Sequence, residues 1–162
     1  MASPVDEILV VLGHRRAEIA PTLAGLPAQV VANPDYARGM LSSLRAGLAA
    51  SSSEAEWSAI CLGDQPALQP ETVAALRAEA ERGGPGLVIP SFQRRRGHPV
   101  WIHRQYRQEI EALPDEGGLR ELFRRHPEDI RYVEATTPTV LTDMDTPEDY
   151  QRELAARERG AE

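Results

Sequence analysis

Lysine is absent from this chain: all eighteen basic residues are arginine. A mechanism that places a lysine ammonium on a nucleotide phosphate therefore has no candidate here. Arginine still receives phosphate, but through a planar fork and not a mobile point charge. Cysteine is reduced to Cys61, which excludes a disulfide framework. Lying in an apolar run, Cys61 reads as a small core residue and not as a nucleophile. No apolar stretch approaches the length of a membrane span, and no charged leader precedes an apolar segment at the N-terminus, so the expected location is cytoplasmic. A net charge of −7 and a pI near 5.2 argue against a nucleic-acid groove, which needs a basic face. There is no G-x-S-x-G elbow, and His14, His98, His103 and His126 lack zinc-ligand spacing, which sets hydrolase and zinc-enzyme readings aside. Repeats and inter-domain linkers are also missing, so 162 residues read as a single domain, 1–162.

What is present is an alternation of short apolar runs and helical patterns. Glu7 to Gly13 is a continuous apolar run closed by glycine, as expected of a strand buried on both faces. A helical stretch from Arg15 to Leu26 follows, with a break expected at Pro21. Gln29 to Ala32 reads as a second strand, and Met40, Leu41, Leu44 and Leu48 recur at helical spacing. Trp57 to Leu62 is a third strand. Pro70 opens a helix that Gly83-Gly84 closes. Gly86 to Pro90 and His98 to His103 read as strands, the latter antiparallel. Helical segments near Arg104 to Ala112 and Gly118 to Arg125 precede a last strand in two pieces, Ile130 to Glu134 and Thr139 to Leu141. Pro147 to about Arg157 is the final helix, with Thr146 as its cap. Strands alternating with helices predict an α/β protein with a mostly parallel sheet.

Two acidic turns carry the chemistry. Gly63-Asp64-Gln65-Pro66 comes straight off the third strand, at the carboxyl end where open α/β sheets bind ligands. Some eighty residues later, Val140-Leu141-Thr142-Asp143-Met144-Asp145-Thr146-Pro147 repeats the arrangement of apolar stretch, acids and helix start. Two carboxylates about 4 Å apart repel by roughly 4 kcal/mol at an effective dielectric near 20, so a site that joins them needs a proton or a cation. Magnesium suits such a pair, because it completes its octahedron with waters and substrate phosphates. The residues also admit blander readings: Asp64 as a turn residue, and the later acids as favourable charges near a helix N-terminus. Asn33 to Ser43 feeds a helix whose first backbone N–H groups, at Gly39 to Leu41, suit an anion or a base edge. Arg94-Arg95-Arg96-Gly97-His98 reads either as a phosphate receiver or as a solvated hairpin tip.

Taken in order, these motifs resemble the molybdenum cofactor cytidylyltransferase branch of the MobA-like nucleotidyltransferase family. The resemblance runs from near Val5 to about Glu153 and rests on five segments. They are Val11-Leu12-Gly13, Asn33-Pro34-Asp35-Tyr36-Ala37-Arg38-Gly39, Gly63-Asp64-Gln65-Pro66, Gly97-His98-Pro99, and Asp143-Met144-Asp145-Thr146-Pro147-Glu148-Asp149. It implies a three-layer α/β/α Rossmann-like fold of the nucleotide-diphospho-sugar transferase type. It also implies magnesium-dependent transfer of a nucleoside monophosphate, CMP favoured, from an NTP to a phosphorylated acceptor such as molybdopterin, with release of pyrophosphate. By resemblance Asp64 is a metal-binding catalytic residue and Asp145 its acidic partner. Gly39, Ser42, Ser43 and Gly63 lie on the nucleotide, and Gly97, His98 and Pro99 face the pterin.

The chain departs from the family pattern at its start. Family members begin with a first strand, a glycine-rich phosphate loop and a nearby lysine. That strand is central, between those matching Ile8 to Leu12 and Ala59 to Leu62. Its loss removes on the order of ten ladder hydrogen bonds at about 1 kcal/mol net each. Three expectations follow: a truncated reading of a longer gene, a split enzyme whose second chain supplies the strand and loop, or a chain that folds alone with the flanking strands closed up as a non-catalytic nucleotide- or pterin-binding remnant.

Overall fold

Short β-branched runs set the strands, and prolines set where the helices begin. The structure is a computed structural model, described for residues 5–160 and, for side chains, as far as residue 155. The chain divides into two compact units, one within residues 1–58 and 103–129, the other within 59–102 and 130–162.

In the first unit, β1 (Leu9–Leu12) pairs in parallel with β2 (Gln29–Ala32), in register from Leu9↔Gln29 to Leu12↔Ala32. The crossover is a short helix, α1 (Arg16–Ile19), that tightens into a 3-10 turn over Ala20–Leu23. Pro21 sits in the first turn of that 3-10 segment, where its missing N–H has no partner to lose, so the chain changes helix type at the expected break. α2 (Met40–Ala50) buries Leu41, Leu44 and Leu48 on one face, packed against β1. Each such leucine contributes at most about 3 kcal/mol of transfer free energy. The later part of the unit holds α4 (Arg107–Ala112) and α5 (Arg120–Arg125), anchored by the buried Tyr106, Ile110 and Leu122. Arg45 on α2 ties this part down: its guanidinium donates to Asp115 Oδ1 at 2.7 Å and to the carbonyls of Ile110 and Leu113. The Tyr106 hydroxyl donates to the Asp129 carboxylate. Desolvation first, then that acid, push the phenol pKa up to about 12.

The second unit is built around β4 (Leu87–Phe92), whose Leu87, Val88 and Ile89 are almost wholly buried, as a strand covered on both faces requires. On one edge lies β7 (Ile130–Glu134), parallel and in register from Leu87↔Ile130 to Ser91↔Glu134. The other edge carries two antiparallel pieces, β5 (Arg95–Arg96) and β6 (Val100–His103), as the sequence predicts for the latter. β3 (Trp57–Ile60) follows β6 in the sheet order, and α3 (Pro70–Glu81) packs on β4. α6 (Pro147–Gly160) starts with a reciprocal cap: Asp149 N–H donates to Thr146 Oγ1 at 3.2 Å, and Thr146 N–H to Asp149 Oδ2 at 2.8 Å. The Thr146 hydroxyl, which donates to Asp149 Oδ2 at 2.7 Å, and then the Thr146 N–H hold the Asp149 carboxyl below its ordinary range.

Two sequence readings are corrected. The run Thr139 to Leu141 is not a strand: Pro138–Leu141 form a 3-10 turn, since Pro138 presets the helical φ at its start. Cys61 is exposed and not core, because β3 stops at Ile60 and Cys61 opens the following loop. Nearby atoms still crowd its Sγ enough to raise the thiol pKa. The strands form two separate sheets, β1-β2 and the five-stranded one, so β1 has β2 as its strand neighbour and β3 has β6. Among the described residues, no helix is long and apolar enough to cross a membrane.

Candidate functional site

The two acidic turns meet in the second unit. Met144 N–H donates to the carbonyl of Asp64 at 2.8 Å, and Gln65 Nε2 donates to Asp143 Oδ1 at 2.7 Å, so the loop after β3 is laced to the loop before α6. Asp64 and Asp145 are both exposed, and neither carboxylate takes a hydrogen bond or ion pair among the described residues. Asp143, in contrast, is engaged by Gln65. Because Asp149 makes the helix cap, the acids at 143 and 145 are not needed for it, which weakens their purely structural reading. The donor set is oxygen only. No group of three His, Cys, Asp or Glu side chains suited to a metal occurs among the described residues. Carboxylate oxygens are the donors that magnesium or manganese takes, hard ions that bind through one or two carboxylates plus substrate.

Gly97, His98 and Pro99 border these acids. They form the break between β5 and β6, where Gly97 N–H donates to the Pro90 carbonyl at 2.8 Å and His98 N–H to the Val140 carbonyl at 3.0 Å. Gly97 and Pro99 are buried, and the His98–Pro99 bond is cis. Burial pushes the His98 pKa down, opposed by the charges of Asp143 and then Asp64. His98 therefore senses both turns. We expect Asp143→Asn to lower the His98 pKa further, since the substitution removes an acid that raises it, and Asp64→Asn to act in the same direction. A proton NMR titration of the His98 ring reads this directly. A midpoint unmoved in both variants would mean that the acids do not face the imidazole.

Gly63 opens the Asp64 turn and has open space around its Cα. Gly39, Ser42 and Ser43 belong to the first unit. Gly39 adopts φ 102° as the N-cap of α2, a region that side chains rarely enter. Ser42 is buried, and its hydroxyl donates within the loop to the carbonyls of Asp35 (3.0 Å) and Gly39 (2.8 Å). Asn33, only 5 % exposed, opens a segment noted from sequence but was given no role of its own there. Its Nδ2 donates to the hydroxyls of Ser42 (2.9 Å) and Ser43 (3.0 Å), and its Oδ1 accepts Asp35 N–H at 2.9 Å. The serines thus shape the loop that feeds α2. The signal for Asn33 is Asn-Pro-Asp before a helix, a turn whose side chain folds back on its own backbone.

Comparison with known proteins decides the family. The model of the MobA-like NTP transferase domain matches residues 1–130. The chain belongs to the MobA-like NTP transferase family. Among curated relatives, this transferase domain is 27% identical over 158 residues to the molybdenum cofactor cytidylyltransferase of Escherichia coli (strain K12), covering 97% of this chain and 77% of that one. It is 28% identical over 155 residues to the nicotine blue oxidoreductase of Paenarthrobacter nicotinovorans, covering 91% of this chain and 75% of the relative. Among solved structures, a nucleotidyl transferase from Methanothermobacter thermautotroptrophicus superposes with a TM-score of 0.80 at 26% identity, over 96% of this chain and 75% of that chain. Rv0371c from Mycobacterium tuberculosis H37Rv, solved in complex with manganese, gives a TM-score of 0.72 at 27% identity, over 93% and 78% of the two chains. The Rossmann-like α/β fold is thereby shared with MobA-like nucleotidyltransferases.

Proposed function

We propose that this MobA-like domain transfers a nucleoside monophosphate, CMP in the favoured case, from a metal-bound NTP to a phosphorylated acceptor of the molybdopterin type. The observation that carries the reading is the lacing of the two acidic turns, which leaves Asp64 and Asp145 with carboxylates free of protein partners among the described residues. In this reading Asp64 and Asp145 hold the divalent ion, magnesium by preference, and Asp143, fixed by Gln65, positions the loop. When bound, the ion offsets the charge of the triphosphate and of the leaving pyrophosphate. Gly63 allows close backbone approach to the nucleotide, and His98 with its neighbours Gly97 and Pro99 faces the acceptor. For Gly39, Ser42 and Ser43 the assignment to the nucleotide is supported by the helix start they build at α2, whose first N–H groups favour anions. No side-chain nucleophile is required: the work is positioning and charge compensation at the α-phosphorus.

The test is to incubate the purified chain with CTP, magnesium and molybdopterin and to measure pyrophosphate. Release that requires all three supports the transferase. Metal-dependent CTP binding without pyrophosphate identifies instead a binding module that does no chemistry. Replacing CTP with GTP in the same assay tests the base preference, and replacing magnesium with manganese tests the choice of ion.

A further inference from the structure

The hairpin that joins β4 to β5 carries cations that the rest of the fold leaves unused. Its turn residues, Gln93 and Arg94, both have positive φ (51° and 65°), the geometry of a tight two-residue hairpin. β5 therefore folds back on the last residues of β4, with Ser91 opposite Arg96 and Phe92 opposite Arg95. That places the hairpin at the carboxyl end of β4, the side on which α/β sheets gather ligands. Arg94, Arg95 and Arg96 are all exposed, and none is paired with a carboxylate among the described residues. The nearby acid on β7 is already satisfied: Glu134 accepts the Ser91 hydroxyl at 2.8 Å and the Gln93 N–H at 3.1 Å. Arg96 instead stacks over the ring of Tyr132, 5.3 Å from its centroid, and that tyrosine is 47% exposed. Held over the ring, the guanidinium keeps N–H groups that no carboxylate takes among the described residues, and an arginine fork can grip two oxygens of one phosphate. Only Gly97 separates Arg96 from His98, about 7 Å of extended backbone, and His98 feels Asp64 and Asp143.

We propose that Arg96, seated on Tyr132 and flanked by Arg94 and Arg95, receives the phosphate of the acceptor and so selects phosphorylated acceptors. This rests on the transferase reading and adds to it the residue that recognises the second substrate. An anionic acceptor approaching a triphosphate beside Asp64, Asp143 and Asp145 meets repulsion on every side, and the hairpin supplies the local positive charge that offsets it. In the transfer, an oxygen of the acceptor phosphate forms a bond to the α-phosphorus as the bond from that phosphorus to the bridging oxygen breaks. Pyrophosphate leaves with the electron pair. A phosphate monoester with second pKa near 6 is already a dianion at neutral pH, so no side chain has to remove a proton.

Phenyl phosphate is the probe. Its binding is measured by calorimetry at low salt without metal, alongside Mg·CTP binding, for the natural chain and for Arg96→Gln, Arg96→Lys and Tyr132→Leu. Arg96→Gln is expected to weaken phenyl phosphate about tenfold or more, as loss of a charge-assisted pair does. Arg96→Lys and Tyr132→Leu should fall in between, because one keeps charge without the fork and the other keeps the fork without its platform. Mg·CTP affinity should stay constant throughout. Equal binding of phenyl phosphate by the natural chain and Arg96→Gln, or none by either, with Mg·CTP bound normally, overturns the hairpin assignment and leaves the transferase reading standing. Failure of the natural chain to bind Mg·CTP overturns the transferase reading and, with it, the acceptor role.

Discussion

Asp64→Asn abolishes metal-dependent CTP binding and leaves the melting temperature where it was. The two halves of this expected result have separate causes. Asp64 is exposed, and its carboxylate makes no protein contact that an amide of the same shape would lose. The backbone bond from Met144 N–H to the Asp64 carbonyl survives the substitution. A surface change of this kind stays within about 0.5 kcal/mol. In the proposed site, however, the ion loses one of its two carboxylate charges. A unit charge pair at 4 Å is worth roughly 4 kcal/mol at an effective dielectric of 20, and a divalent ion at bonding distance gains more, so affinity should fall on the order of 100-fold or further. Calorimetry with Mg·CTP and a thermal melt on the same sample measure both. Asp145→Asn should match Asp64→Asn, whereas Asp143→Asn should do less, because Asp143 is held by Gln65. If Asp143→Asn removed binding and Asp145→Asn did not, the second ligand would be reassigned. Undiminished affinity in Asp64→Asn would take that residue out of the site.

What was legible in the sequence was whatever local chemistry dictates. Pro21 marks the break in the first helical stretch, Thr146 caps α6, and β6 runs antiparallel as its sequence suggests, although the turn before it lies at Gln93-Arg94 and Arg95–Arg96 are a strand. Convergence of the two acidic turns was also foreseeable, since each follows an apolar run and ligand sites gather at strand ends. Less legible were contacts between side chains far apart in the chain. Nothing in Gln65 announces that it will hold Asp143, and nothing in Tyr132 that it will carry Arg96. Those depend on which strands become neighbours, and neighbourhood is set by the whole sheet. Val140 misled for a related reason. Its apolar flanks look like a strand, yet Pro138 starts a 3-10 turn, and Val140 is buried by packing and not by a ladder. Ser42 shows the converse: a hydroxyl that looks available for a ligand is spent on the carbonyls of its own loop.

Gly97→Ala should destabilise the protein more than any other single-methyl addition at the candidate site. A Cβ at position 97 would lie 2.3 Å from the carbonyl oxygen of Val140 and 2.8 Å from its Cβ. Neither neighbour is a flexible side-chain tip. Val140 is fully buried, and its carbonyl also accepts the His98 N–H at 3.0 Å, so the crowded oxygen cannot retreat without breaking a bond on the next residue. Overpacking of this kind costs about 3 kcal/mol, which for a chain of this size lowers Tm by roughly 6–12 °C. Gly63→Ala is the matched control: nothing lies within 4 Å of its added Cβ, and no positive φ resists it. Its melt should be unchanged, and any loss of CTP binding there reports on the approach of nucleotide to the Asp64 turn. A melting temperature in Gly97→Ala equal to that of the natural chain would show that the Val140 segment yields freely and that the break between β5 and β6 is not tightly packed on it.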